Sequence, residues 1–152
     1  MTISKIRITD DVELREELDR EYESSSRIQL CKYALSLATH VLESIRYSDD
    51  ETIKEAFRIS EQWQKGDVSM REVRQAAFQI HQMAKVSGDT ITASALRTVG
   101  HAVATAHMKE HAMVASDYAV RVINLLYPGN MESVKKERLW QINRLREIKY
   151  LN

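Results

Sequence analysis

The sequence predicts an all-α fold, a single domain of about seven helices packed as antiparallel helical hairpins. Apolar residues recur at helical spacing along most of the chain, as in Ile28, Cys31, Leu35, Ala38, Leu42 and Ile45. One Pro and four Gly leave little material for strand hairpins and mark instead the links between helices. Ser or Asp stands before most of the apolar runs, where a helix start needs a side-chain acceptor. At 152 residues, one domain is expected, large enough to bury its core without metals or disulfides.

Residues 1–9 alternate loosely through Ile3, Ile6 and Ile8 and read as an N-terminal arm. Residues 10–26 form an acidic first helix with Val12, Leu14 and Leu18 as its sparse apolar positions, Asp10 and Glu13 as a capping box, and a solvated acidic face. Alanine-rich core helices follow over residues 27–127. The first of them, opened by Ser24-Ser25-Ser26, carries a second stripe through Leu30, Ala34, Leu37 and Val41 and so is buried on more than one side. Ser48-x-x-Glu51 opens a helix through Ile53, Ala56, Phe57, Ser60 and Trp63 that stops at Gly66. Ser69-x-x-Glu72 repeats the device for a helix burying Met70, Val73, Ala77, Ile80 and Ala84, which ends at Gly88.

Asp89 caps a pair of helices running to Tyr127, and Pro128-Gly129 ends the second. The last segment, 130–152, is a basic C-terminal helix packed through Val134, Leu139, Ile142, Leu145 and Ile148; it either lies against the acidic first helix or offers a separate docking face. Tyr33-Ala34, Gln75-Ala76 and Tyr118-Ala119 recur roughly every 40-odd residues, a period compatible with a short superhelical, repeat-like stacking.

The central pair is the least ordinary stretch. Gly100 sits in a helix interior, where Gly costs roughly 1 kcal/mol against Ala, so another backbone is expected close by. His101, His107 and His111 gather where the two helices meet, near Met108 to Glu110. His107 and His111 are four apart, as ligands on one helix face would be, but His101 falls away from that face unless the chain turns. Two readings stand: a metal centre on His101, His107 and His111, or imidazoles that bridge helix ends. Ser94, Thr98, His101 and Thr105 make a polar line suited to internal hydrogen bonding. On the next helix His111, Val114, Ala115, Tyr118, Val122 and Leu125 are the expected inward stripe, with Asp117 and Arg121 an ion pair on its flank. His40, beside Val41, reads as a satisfied core or boundary histidine rather than a ligand.

With 22 basic and 22 acidic residues no global field draws the chain to nucleic acid, and the basic tail with Trp140 and Tyr150 reads as a solvated face. No apolar run approaches a membrane span, no secretory signal opens the chain, and the single Cys31 suits a reducing, cytoplasmic setting. No Ser-His-Asp order and no glycine-rich phosphate loop occurs, so neither a catalytic constellation nor a cofactor is expected.

One ordered set of landmarks resembles a known family. It runs from Cys31-Lys32-Tyr33-Ala34 and Thr39-His40-Val41-Leu42-Glu43, through Trp63-Gln64-Lys65-Gly66, to Arg74-Gln75-Ala76-Ala77 and His81. It continues with Gly100-His101-Ala102-Val103-Ala104-Thr105-Ala106-His107, His111-Ala112 and Tyr118-Ala119, and closes on Glu137-Arg138-Leu139-Trp140-Gln141. Over about residues 27–145 the chain resembles the Imm-five-like immunity proteins of bacterial polymorphic toxin systems. It departs from that pattern after Asp49-Asp50 and after Gln141, where the family often has Pro. The resemblance implies a helical protein that binds a cognate toxin in the producing cell and blocks it non-covalently. It marks His40, Trp63, Arg74, His81, Gly100, His101, His107, His111, Tyr118, Arg138 and Trp140 as structural or binding candidates. Trp140 and Tyr22 are expected as exposed anchors. A metal-binding protein or enzyme built on the histidines, and a helical scaffold that oligomerises, are the alternatives.

Overall fold

The computed structural model describes residues 1–151. Seven helices account for most of them: α1 (Val12–Glu23), α2 (Arg27–Ser44), α3 (Glu51–Gln64), α4 (Met70–Val86), α5 (Thr90–Ala104), α6 (His111–Leu126) and α7 (Met131–Tyr150). The expected boundary at residue 152 lies outside the described residues.

The helix starts follow from side chains that accept free backbone amides. Asp11, Ser26, Asp50, Ser69, Asp89 and Asn130 each take the amide three residues on, and Ser26 with Gln29 closes a full capping box. Two expected boxes are displaced. Asp11 rather than Asp10 caps α1, because Asp10 is drawn to Arg138; Asp50 rather than Ser48 caps α3. Gly66 and Gly129 adopt positive φ of 81° and 73° just past helix ends, a conformation that other residues enter at a cost.

α2 is the hub. It packs on α3, α5, α6 and α7, which is why both of its stripes are buried. The consecutive helices α3, α4, α5 and α6 stack in chain order, and α7 closes the molecule by lying along α1. One core lies between α2, α3, α4 and α5 and holds Cys31, Ala34, Ile80, Val99 and Val103; a second joins α1, α2, α6 and α7 through Leu18, Tyr33, Leu37, Ala115 and Leu145. Burial pushes the Cys31 thiol up to about 12. No described helix is long and apolar enough to cross a membrane.

The acidic face of α1 is not left to solvent. Glu21 takes Arg146 and Lys149 of α7, both at 2.9 Å, and Glu17 takes Arg146, so the acidic and basic helices lie together. The arm is docked as well: Thr9 exchanges two hydrogen bonds with Asn124 of α6, and the Thr2 amide donates to Asp19. Val12 and Leu139, expected in the core, are exposed. On α6 the buried positions are Ala112, Ala115, Ala119 and Val122 on one side, Met113, Ser116, Asp117 and Val120 on the other, and Ile123 between them. His111, Val114, Tyr118 and Leu125 are only half-buried, because α6 meets α2, α5 and α7 at once and its buried face is broader and rotated from the expected stripe.

Candidate functional site

The histidines meet at the junction of α4, α5 and α6. On α4, Arg74 and His81 stand two turns apart and therefore on one side; on α5, Arg97 and His101 stand one turn apart. The link between α5 and α6 occupies residues 105–110, a little earlier than expected, and delivers His107. His111 and Tyr118 then lie two turns apart on α6. His101 is the centre: its ring lies 4.7 Å from that of His81, 5.1 Å from that of His111 and, stacked, 5.4 Å from that of Tyr118. The His107 ring lies 6.2 Å from that of His111.

Hydrogen bonding fixes several proton positions. A guanidinium only donates, so the contact of Arg97 Nη1 with His81 Nδ1 at 2.9 Å makes that nitrogen an acceptor. Arg74 Nε donates in the same way to His107 Nδ1 at 3.2 Å. Between His101 and His111 the two Nδ1 atoms face each other at 2.9 Å, so one must donate and the other accept. Both rings cannot be imidazolium in this arrangement. Burial first, and then the Arg97 charge, pulls the His81 pKa down to about 4. Burial and the neighbouring His81, His111, Arg97 and Lys5 pull that of His101 down to about 3; His111 is lowered by burial, His107 and Lys5.

Gly100 belongs to the same cluster, though the expected close backbone is in fact a side chain. A Cβ at this position would stand 2.6 to 2.9 Å from three atoms of the His81 ring, so the missing side chain is what lets the imidazole lie on α5. Ala102, Val103, Thr105 and Ala106 fill the buried side of the same stretch. The polar line is internally bonded as expected, with Thr98 donating to the Ser94 carbonyl and Thr105 to that of His101.

A second group forms where α7 meets α2 and α6. Arg138 is fully buried at 0% exposure and gives two hydrogen bonds to Asp10, one to Asp117 and one to Gln141. Asp117 also holds Arg15 through both carboxylate oxygens, so it pairs with Arg15 and Arg138 and not with Arg121 as expected. His40 contacts Glu137 at 2.7 Å and stacks on Trp140 with ring centroids 3.7 Å apart. Gln141 donates to Glu137 and to the Ser116 carbonyl, and Ser116 meets the Tyr33 hydroxyl at 2.6 Å. Glu137, Arg138, Trp140 and Gln141 thus each hold a partner, while Leu139 between them faces solvent. Sequence reasoning missed Asp10, Arg15, Asp117 and Glu137 as members of this network; the one available signal was polar residues at positions 137, 138 and 141 on the side of α7 that also carries Val134 and Leu145.

Trp63 stays apart from both groups, half-buried against the first core. Tyr22 is no exposed anchor: it is 4% exposed, its hydroxyl faces Glu110, and Lys109 lies 5.5 Å over its ring. Trp140 is half-buried under His40. Among the described residues no three His, Cys, Asp or Glu groups come together in an arrangement that could hold a metal ion. The imidazole Nδ1 atoms are turned toward arginines or toward each other instead.

The model of one family, described as Imm-5 like putative immunity protein, matches residues 20–148. That span takes in both groups of side chains except for the arm and the first turns of α1. No curated protein and no solved structure matches the chain.

Proposed function

The chain belongs to the Imm-5 like putative immunity protein family, and from that premise we propose that it binds a cognate bacterial toxin and neutralises it without covalent chemistry, in the cytoplasm of the producing cell. Family membership carries this reading. The geometry supports it, because the groups suited to acid–base work are committed to one another: His40 to Glu137, His81 to Arg97, His101 to His111 and His107 to Arg74. Such a molecule serves as a stiff scaffold whose outer faces do the recognising, and an interface of standard size would cover roughly 800 Å² of it.

Co-expression with the cognate toxin domain, found by screening toxin domains of the source genome, tests the proposal. Cells carrying both are expected to grow while cells carrying the toxin with an empty vector die, and the two proteins are expected to purify together. Survival no better than the empty vector overturns the reading.

A further inference from the structure

In a molecule with equal numbers of acidic and basic residues, several cations without a carboxylate partner stand around the imidazole cluster. On the α1–α7 side many of the charges are matched to one another, Glu17 and Glu21 with Arg146 and Lys149, and Asp10 and Asp117 with Arg15 and Arg138. Around the imidazole cluster they are not. Arg74 and Arg97 each direct one donor at a histidine and have no carboxylate within ion-pair distance among the described residues. Lys5, near enough to His101 and His111 to act on both electrostatically, is likewise without one. Glu110 acts on His111 electrostatically as well, while its carboxylate accepts from the Tyr22 hydroxyl.

The same side exposes apolar surface. Phe78 on α4 is 57% exposed, one turn from Arg74 and from Gln82 on the same ridge, and Met108 beside His107 is 47% exposed. An accessible aromatic bordered by arginines with unused donors is the composition of an interface centre rather than of ordinary solvated surface. Guanidinium forks bind carboxylates bidentately, and half-buried rings between them offer a floor that competes little for water.

We infer that this face, Arg74, Phe78, Arg97 and Met108 around the imidazole floor with Lys5 at its edge, docks an acidic segment of the toxin bearing Asp or Glu side chains. The inference rests on the immunity reading and adds to it the surface used and the chemistry of the partner. Charge complementarity selects this occupant: Arg74, Arg97 and Lys5 have no ion-pair partner among the described residues, and Phe78 and Met108 are exposed on the same side.

The test is titration calorimetry of the whole chain with the toxin domain identified by co-expression, catalytically silenced by mutation. Four proteins are compared: the wild type, Arg74→Glu, Phe78→Ala, and the distant control Lys135→Glu on α7, each checked for an unchanged melting temperature. Arg74→Glu and Phe78→Ala are each expected to weaken binding by about 30-fold or more, with Lys135→Glu within about twofold of wild type and wild-type affinity falling as salt rises. Phe78 is exposed and removes no charge, so it keeps the test open if Arg74→Glu disturbs His107. Tight wild-type binding that neither variant weakens overturns the assigned face and leaves the immunity reading intact. No wild-type binding removes that reading, and this inference with it. Two further results also overturn the inference: a wild-type dimer in light scattering that Phe78→Ala dissolves while toxin binding is unchanged, or mixed-sequence RNA that binds this face and is lost in Arg74→Glu.

Discussion

Gly100 shows how one missing side chain organises a cluster. Helix propensity favours Ala over Gly by about 1 kcal/mol, whereas a methyl group here would run into the His81 ring, and overpacking of that kind costs about 1 to 3 kcal/mol. Gly100→Ala is therefore expected to lower stability in urea unfolding, and in a His81→Ala background the same change should raise it by up to about 1 kcal/mol. Equal effects in both backgrounds would show that the ring is not what the glycine accommodates. The need for close packing at Gly100 was legible in the sequence, because a glycine inside an alanine-rich helix gives up helix propensity that a close neighbour offsets. The identity of the neighbour was not. His81 lies on another helix, and spacing within one segment says nothing about which residue of the next segment lies across from it.

Among the elements, α7 was the one most incompletely legible. Its apolar positions Val134, Ile142, Leu145 and Ile148 are buried as expected, but its second buried row is polar: Glu137, Arg138 and Gln141. Periodicity cannot distinguish a buried charged row from a solvated one, since what satisfies Arg138 is Asp10, 128 residues away in the chain, and Asp117 on α6. Removing the guanidinium while keeping the bulk should expose the difference. Arg138→Met leaves Asp117 buried without one of its two cations and Asp10 without its hydrogen-bonded partner, and a broken buried ion pair costs about 3 to 5 kcal/mol. The urea midpoint is expected to fall accordingly, and the arm should become more open to proteolysis. A loss below about 1 kcal/mol, the scale of surface pairs, would mean that the network contributes little. The caps on α2, α4 and α5 were readable in advance because they are local; the cap on α1 shifted by one residue because Asp10 answers to a distant arginine.

For the molecule as a whole, the all-α class, the helix count and the central place of α2 followed from patterns within segments. The closure of α1 on α7 did not, because opposite charges on two helices fit a mutual contact and two separate docking faces equally well. The gathered histidines give the whole fold a pH dependence. His81 and His101 are depressed to about 4 and about 3, and His111 is lowered too, against about 6.5 for an unfolded chain. Between about pH 4 and 6.5 the unfolded state therefore binds more protons. The contribution of these rings to stability is full above about 6.5 and is lost as the pH falls through that window. Urea midpoints are expected to decline steadily from pH 7 to 4.5, and His101→Gln should flatten the decline. A wild-type midpoint that does not move over this range would contradict the account.

The Arg138 network also orders events in time. α7 leaves the ribosome after the arm and α6, so for 128 residues of synthesis the nascent chain carries Asp10, and for the last 21 of them Asp117 as well, with no guanidinium from position 138 to neutralise them. α2 to α6 can gather early around their own core, while Asp10 waits for α7 before its buried pair can form.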